Sequence, residues 1–290
     1  MDLPSPPPER PGRRRRTAAP PRAGRNLAAA VAVGLALGAL ILLSLYVVKV
    51  AFVGLALAAV LLAGWELANA LGARGVRVPM PPVVLGTVAM LGAAYAGGPD
   101  ALLLAAFLTV LAVLVWRLPE GPAGYVRDVT GGAFLTLYVP FLAGFAMLLL
   151  RTPDGADRIV AFVLVTVCSD VGGYAVGVLI GRHPMAPTVS PKKTWEGFAG
   201  SALFSAVGGA LVVALLLHAP AWVGVLLGLA AAGSATLGDL GESLLKRDLG
   251  VKDMGSLLPG HGGLMDRLDS LVATAPVAWA LLSLLVPGPR

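Results

Sequence analysis

Two polar stretches interrupt a chain that is 57% hydrophobic and only 13% charged. One is Ser190-Pro191-Lys192-Lys193-Thr194-Trp195-Glu196-Gly197; the other runs from Asp239 to Asp269. On a helix, Asp239, Glu242 and Lys246 stand at i, i+3 and i+7 and share a face, and Asp266 and Asp269 are again three apart. Carboxylates brought together from two helix ends suit Mg²⁺, a hard cation that takes oxygen ligands and shares them with substrate phosphates. Lys246, Arg247, Lys252 and Arg267 supply cationic donors for those phosphates. The glycines that follow His261 let backbone N–H groups come close to a ligand. Acid and base gathered in this way suit phosphoryl or nucleotidyl transfer, in which metal and cations stabilise a charged transition state. The plain alternative is a charged loop that only sets membrane topology. Spacing alone does not choose a substrate.

The elements that must position these residues are membrane helices. A soluble domain is about a quarter charged, so the solvent of this chain is largely lipid. The expected fold class is all-α: a polytopic membrane protein of nine spans. They lie at roughly 27–48, 50–71, 82–97, 100–117, 129–150, 158–180, 198–218, 220–241 and 270–287, each near the length a bilayer requires. The third and fourth are short enough to form a re-entrant pair. Glycines within the spans read as packing positions that let helices approach. The single cysteine, Cys168, excludes an internal disulfide and a cysteine-rich zinc site.

Three regions are expected. Residues 1–26 form a cytoplasmic tail rich in proline and arginine, too poor in apolar surface to order itself. Residues 27–150 carry the N-terminal helices. Residues 151–290 form the C-terminal region, with cytoplasmic loops at 182–197 and 242–269. With the N-terminus in the cytoplasm, 18 of the 22 lysines and arginines fall on the cytoplasmic side; Lys49, Arg151, Arg158 and Arg290 do not. That asymmetry follows the positive-inside rule and leaves the C-terminus outside. Asp170 falls near the middle of the sixth span, where a carboxylate is costly and by default functional. Glu66, near the inner end of the second span, reads as an interfacial charge. His183 and His218 receive no role.

The run Ser243-Leu244-Leu245-Lys246-Arg247, then Lys252-Asp253, Gly255, Leu258-Pro259, His261-Gly262-Gly263-Leu264 and Asp266-Arg267-Leu268-Asp269 resembles the signature of the phosphatidate cytidylyltransferase family. Ser190 to Gly197 is similar to that family's SPKKTxEG segment. Ser169-Asp170 with Gly173-Tyr174 and Gly177 is similar to its SDxxAYxxG segment, with Gly173 where alanine is usual. The resemblance is strong over the C-terminal half; the N-terminal half matches only as hydrophobic spans.

The resemblance implies a Mg²⁺-dependent reaction in the inner membrane. A phosphate oxygen of phosphatidic acid attacks the α-phosphorus of CTP, giving CDP-diacylglycerol and pyrophosphate on the cytoplasmic face. It points to Asp239 and Asp266 as ligands of a metal centre of one or two ions. Lys192, Lys193, Lys246, Arg247, Lys252 and Arg267 are then expected at phosphates, and His261 at the leaving pyrophosphate or another phosphate oxygen. Asp253 and Asp269 are expected to orient basic neighbours or a metal-bound water. Ser190, Thr194 and Glu196 are expected to fix the lysines or touch the nucleotide, and Asp170 to complete the metal or lysine network. The implied partners are CTP, phosphatidic acid and membrane lipid, with no nucleic acid, and the resemblance suggests a homodimer. Two other readings stay open on the sequence. One is a CTP-using enzyme acting on a different lipid phosphate or lipid alcohol; the other is an ion-coupled transporter, although no internal repeat supports it.

Overall fold

Long apolar runs between short polar connections give helix after helix. A computed structural model describes residues 38–255 and 263–286. Helix α1 (Gly38–Val47) comes first. It is followed by α2 (Lys49–Gly72), α3 (Met80–Gly97), α4 (Pro99–Arg117), α5 (Tyr125–Thr136), α6 (Leu142–Leu150) and α7 (Gly155–Ile180). A two-stranded antiparallel hairpin, β1 (Pro184–Ala186) and β2 (Ser190–Thr194), leads into α8 (Trp195–Leu216), α9 (Ala221–Leu249) and α10 (Met265–Leu285). Among the described residues eight helical segments are long and apolar enough to cross a membrane, α5 and α6 together counting as one. The first expected span is described only in part, as α1, and the expected tail at 1–26 lies outside the described residues. Large apolar side chains such as Leu85, Leu179 and Leu284 lie exposed on the helices, while Asp128, Arg158 and Glu242 are buried. That inversion fits a lipid solvent, and the protein is a multi-pass membrane protein.

Local sequence explains the breaks. Pro140 has no N–H to donate, and the segment Leu137–Phe141 between α5 and α6 widens into a π turn around it. Gly98, at φ 88°, makes the turn between α3 and α4, and Pro99 starts the next helix. Helices α8 and α9 approach so closely that a Cβ on Gly209 would collide with the backbone of Gly224. Helix α9 continues past its expected end near 241 to Leu249, and α10 begins at Met265 rather than 270. Much of the expected 242–269 loop is therefore helix.

Two sets of contacts mark the two ends of the unit Leu42–Arg290. At one end Lys49 Nζ donates to the carbonyls of Thr152 and Pro153, at 3.0 and 2.9 Å. Arg158 donates there to the carbonyls of Leu282 and Val286, both at 2.9 Å. At the other end Arg74 Nε donates to Leu249 O at 2.9 Å, and Arg77 N–H to Asp128 Oδ1 at 2.9 Å. Asp128 is fully buried and also receives Arg117 and Arg127. The basic connections that carry Arg74, Arg77, Arg117 and Arg127 thus meet at the second end.

Candidate active site

The hairpin is held down at both its base and its turn. Thr194 caps α8, its side chain accepting from Gly197 N–H at 3.1 Å. Glu196 accepts the N–H groups of Arg182 and His183, at 3.1 and 3.2 Å, and pairs with His183 Nδ1 at 2.5 Å. Near the turn, Arg247 Nε of α9 donates to Val189 O at 3.4 Å. So anchored, β2 sends Lys193 across to α9, where its Nζ lies 2.6 Å from Asp239 Oδ2 and 3.3 Å from Thr236 O.

Helix α9 meets the start of α10 beneath the hairpin. Asp239, Glu242 and Lys246 do share a face, because the helix runs unbroken through them. Lys246 Nζ lies 2.5 Å from Glu242 Oε2 and 2.8 Å from Asp266 Oδ1, so one ammonium ties both helices. The other Asp266 oxygen accepts the N–H groups of Met254 and Gly263, at 3.0 and 2.9 Å. Carboxylate oxygens of Asp239, Glu242 and Asp269 lie within 4.8 Å of one another. Glu242 is fully buried, and its Oε1 has no hydrogen-bond partner among the described residues.

These groups surround a cavity of about 430 Å³ between α7, the hairpin, α9 and α10. Asp170, Asp239, Glu242, Asp266 and Asp269 line it against Lys192, Lys193, Lys246 and Arg267. Five carboxylates against four cations leave no positive excess to receive a polyphosphate. Carboxylates so close together, with Glu242 and Asp269 buried, need cations among them, and the all-oxygen donor set, with Glu242 Oε1 orphaned among the described residues, fits a hard divalent ion.

The sequence profile of the cytidylyltransferase family matches residues 28–285. The chain belongs to that family. A protein of Mycobacterium leprae named phosphatidate cytidylyltransferase is 42% identical over 281 residues, which cover 91% of this chain and 90% of its own. One of the same name from Mycobacterium bovis is 39% identical over 277 residues, covering 91% and 90%. A Brucella suis protein, also so named, is 45% identical over 145 residues, 48% of this chain and 53% of its own. Membership makes the chain a nucleotidyltransferase, and the transporter reading falls with it.

The residues expected to act in this cytidylyltransferase fall into three groups. Asp170, Ser190, Lys192, Lys193, Thr194, Lys246, Asp239, Asp266, Arg267 and Asp269 line the one cavity. Arg247 and Glu196 do not line it; they anchor the hairpin. Lys252 and Asp253 are exposed beyond the cavity lining, and His261 lies outside the described residues.

The two expected metal ligands have different surroundings in this cytidylyltransferase. Asp239 belongs to the carboxylate group with Glu242 and Asp269, whereas Asp266 is held by Lys246 and two backbone N–H groups. Two acids have more to do than the sequence suggested. Glu242 sits in the middle of the charged cluster, and its place on the Asp239 face was the available signal. Glu66 is no interfacial charge: it is 1% exposed and accepts Met265 N–H at 2.9 Å. Its signal was only an acid inside an apolar helix, which does not reveal a partner 199 residues away.

Proposed function

We propose that the chain transfers the cytidylyl group of CTP to phosphatidic acid, yielding CDP-diacylglycerol and pyrophosphate. The observation that carries the reading is the meeting of carboxylates, lysines and an arginine around one cavity at an end of the membrane helices. The names of the relatives agree with it. The cavity is read as facing the cytoplasm of a cell whose inner membrane holds the protein, because the basic loops gather at its end. CTP then enters from water, while phosphatidic acid arrives along the membrane with its headgroup at the same level.

Asp239, Glu242 and Asp269 would hold Mg²⁺, with Asp266 next in line. Bound there, the ion supplies positive charge to the triphosphate and to the transition state. The remaining roles belong to side chains. Lys193 and Lys192, on the hairpin, receive phosphate oxygens from one side of the cavity, and Lys246 and Arg267 from the other. A lysine drawn onto a phosphate releases the carboxylate it held, so Lys246 would free Asp266 Oδ1 as substrate binds. A phosphate oxygen of phosphatidic acid bonds to the α-phosphorus as the bond to the bridging oxygen breaks, and the electron pair leaves with pyrophosphate. Asp170, part-way along α7, lines the cavity and keeps that side of it polar.

The test is turnover by protein purified in detergent with CTP, phosphatidic acid and Mg²⁺, followed as pyrophosphate release. Equal release with a lipid alcohol in place of phosphatidic acid would move the reading to a different acceptor. No release with any lipid would end it.

A further inference from the structure

Glu66 lies on α2, far in sequence from the site and absent from the lining of its cavity. Its Oε2 accepts the N–H of Met265, the first residue of α10, at 2.9 Å. The carboxylate is enclosed by two glycines of the segment that leads into α10. A Cβ on Gly255 would collide with Oε1, and one on Gly263 would come within 2.7 Å of Oε2. Those same stretches serve the neighbouring acid, since Gly263 N–H and Met254 N–H both donate to Asp266 Oδ2. Asp266 in turn grips Lys246, and Lys246 grips Glu242. A continuous chain of contacts therefore runs from a buried acid on α2 to the carboxylate group at the cavity.

We infer that Glu66 is a positioning residue of the transfer site: it fixes the first turn of α10, and through it the place of Asp266 and Lys246. The inference rests on the cytidylyl-transfer reading. Burying a carboxylate at 1% exposure, with Oε1 unpartnered among the described residues, is expensive, and a packing residue of the same size would fill the space without that cost. What a carboxylate provides and a leucine does not is an acceptor for Met265 N–H at a fixed point. Catalytic geometry depends on such support, and displacement by about 1 Å can cost about a hundredfold in rate.

The test uses full-length protein in detergent or nanodiscs. Glu66→Ala is expected to lower kcat by about tenfold or more per folded molecule, with a much smaller change in KM for CTP. Glu66→Gln keeps the acceptor oxygen and the shape, and is expected to recover most of that loss. Gly255→Ala, which pushes on Oε1, is expected to impair the wild type but to add little to Glu66→Ala, where the space has opened. Amide exchange over residues 263–270 reads the same inference without any substrate: Glu66→Ala should speed it and Glu66→Gln should not. If the wild type transfers no cytidylyl group while exchange responds in this way, the transfer reading fails and the support of α10 by Glu66 stands. Wild-type kcat in Glu66→Ala, an equal effect of Gly255→Ala in both backgrounds, or unchanged exchange overturns the inference.

Discussion

Lys193 Nζ lies 2.6 Å from Asp239 Oδ2, joining the hairpin to α9 across the mouth of the cavity. The proposal gives each partner a different role, the lysine to phosphate and the aspartate to metal, so the pair exchanges partners when substrate enters. Lys193→Ala should raise KM for CTP about tenfold, the loss of roughly 1.4 kcal/mol of binding. Thr188→Ala, at the exposed hairpin turn, should leave it unchanged. Steady-state kinetics with varied CTP checks this, and a normal KM in Lys193→Ala would remove the lysine from the phosphate site.

The acidic residues make a sharper set. Asparagine keeps the size of aspartate but removes the charge and a strong ligand oxygen. Asp239→Asn and Asp266→Asn should each lower turnover about a hundredfold or more, since metal and paired cations contribute several kcal/mol to such transition states. Asp248, exposed on α9 and outside the cavity lining, is the control, and Asp248→Asn should behave like the parent. Turnover at saturating Mg²⁺ decides it. Equal damage from Asp248→Asn, or near-normal rates in either of the other two, would refute the assignment.

How far the sequence could be read depended on the range of each relationship. Asp239, Glu242 and Lys246 were legible because helical periodicity fixes their shared face within two turns. The pairing of Lys193 with Asp239 was not, because it depends on how a hairpin folds back over a helix 46 residues on. The end of α9 at Leu249 was missed for another reason. Charged residues lower the apolar signal by which a span is recognised, yet they favour the helix itself, and Gly250, at φ 66°, is the stop that backbone geometry respects. Glu66 was misread because the N–H it accepts, that of Met265, comes from the other end of the chain.

Orientation gives a third prediction. A cysteine at 188, on the hairpin turn, should be labelled from the cytoplasmic side only, and one at 100, at the α3–α4 turn, from outside only, in a Cys168→Ser background. Both positions are exposed. Labelling of 188 from outside only would invert the topology and place the cavity on the wrong face for cytosolic CTP.

Arg158 supplies a stability prediction apart from the site. The residue is 2% exposed, and its guanidinium holds Asp154 at 2.8 Å besides the carbonyls of Leu282 and Val286 at the end of α10. Arg158→Ala should destabilise the protein by about 3 kcal/mol, the scale for breaking a buried ion pair. Thermal unfolding in detergent should shift down by several degrees, while KM for CTP stays near its parent value. An unchanged midpoint would mean that the bilayer end of α10 is held by packing alone.

In the proposed reaction the α-phosphorus of CTP moves to a lipid phosphate. Purified protein given phosphatidic acid, Mg²⁺ and CTP labelled at either the α- or the γ-phosphate tests it directly. Cytidylyl transfer puts the α-label in the lipid fraction, mole for mole with pyrophosphate released, and the γ-label only in pyrophosphate. Lipid carrying γ-label, or no labelled lipid at all from active, folded protein, would contradict it.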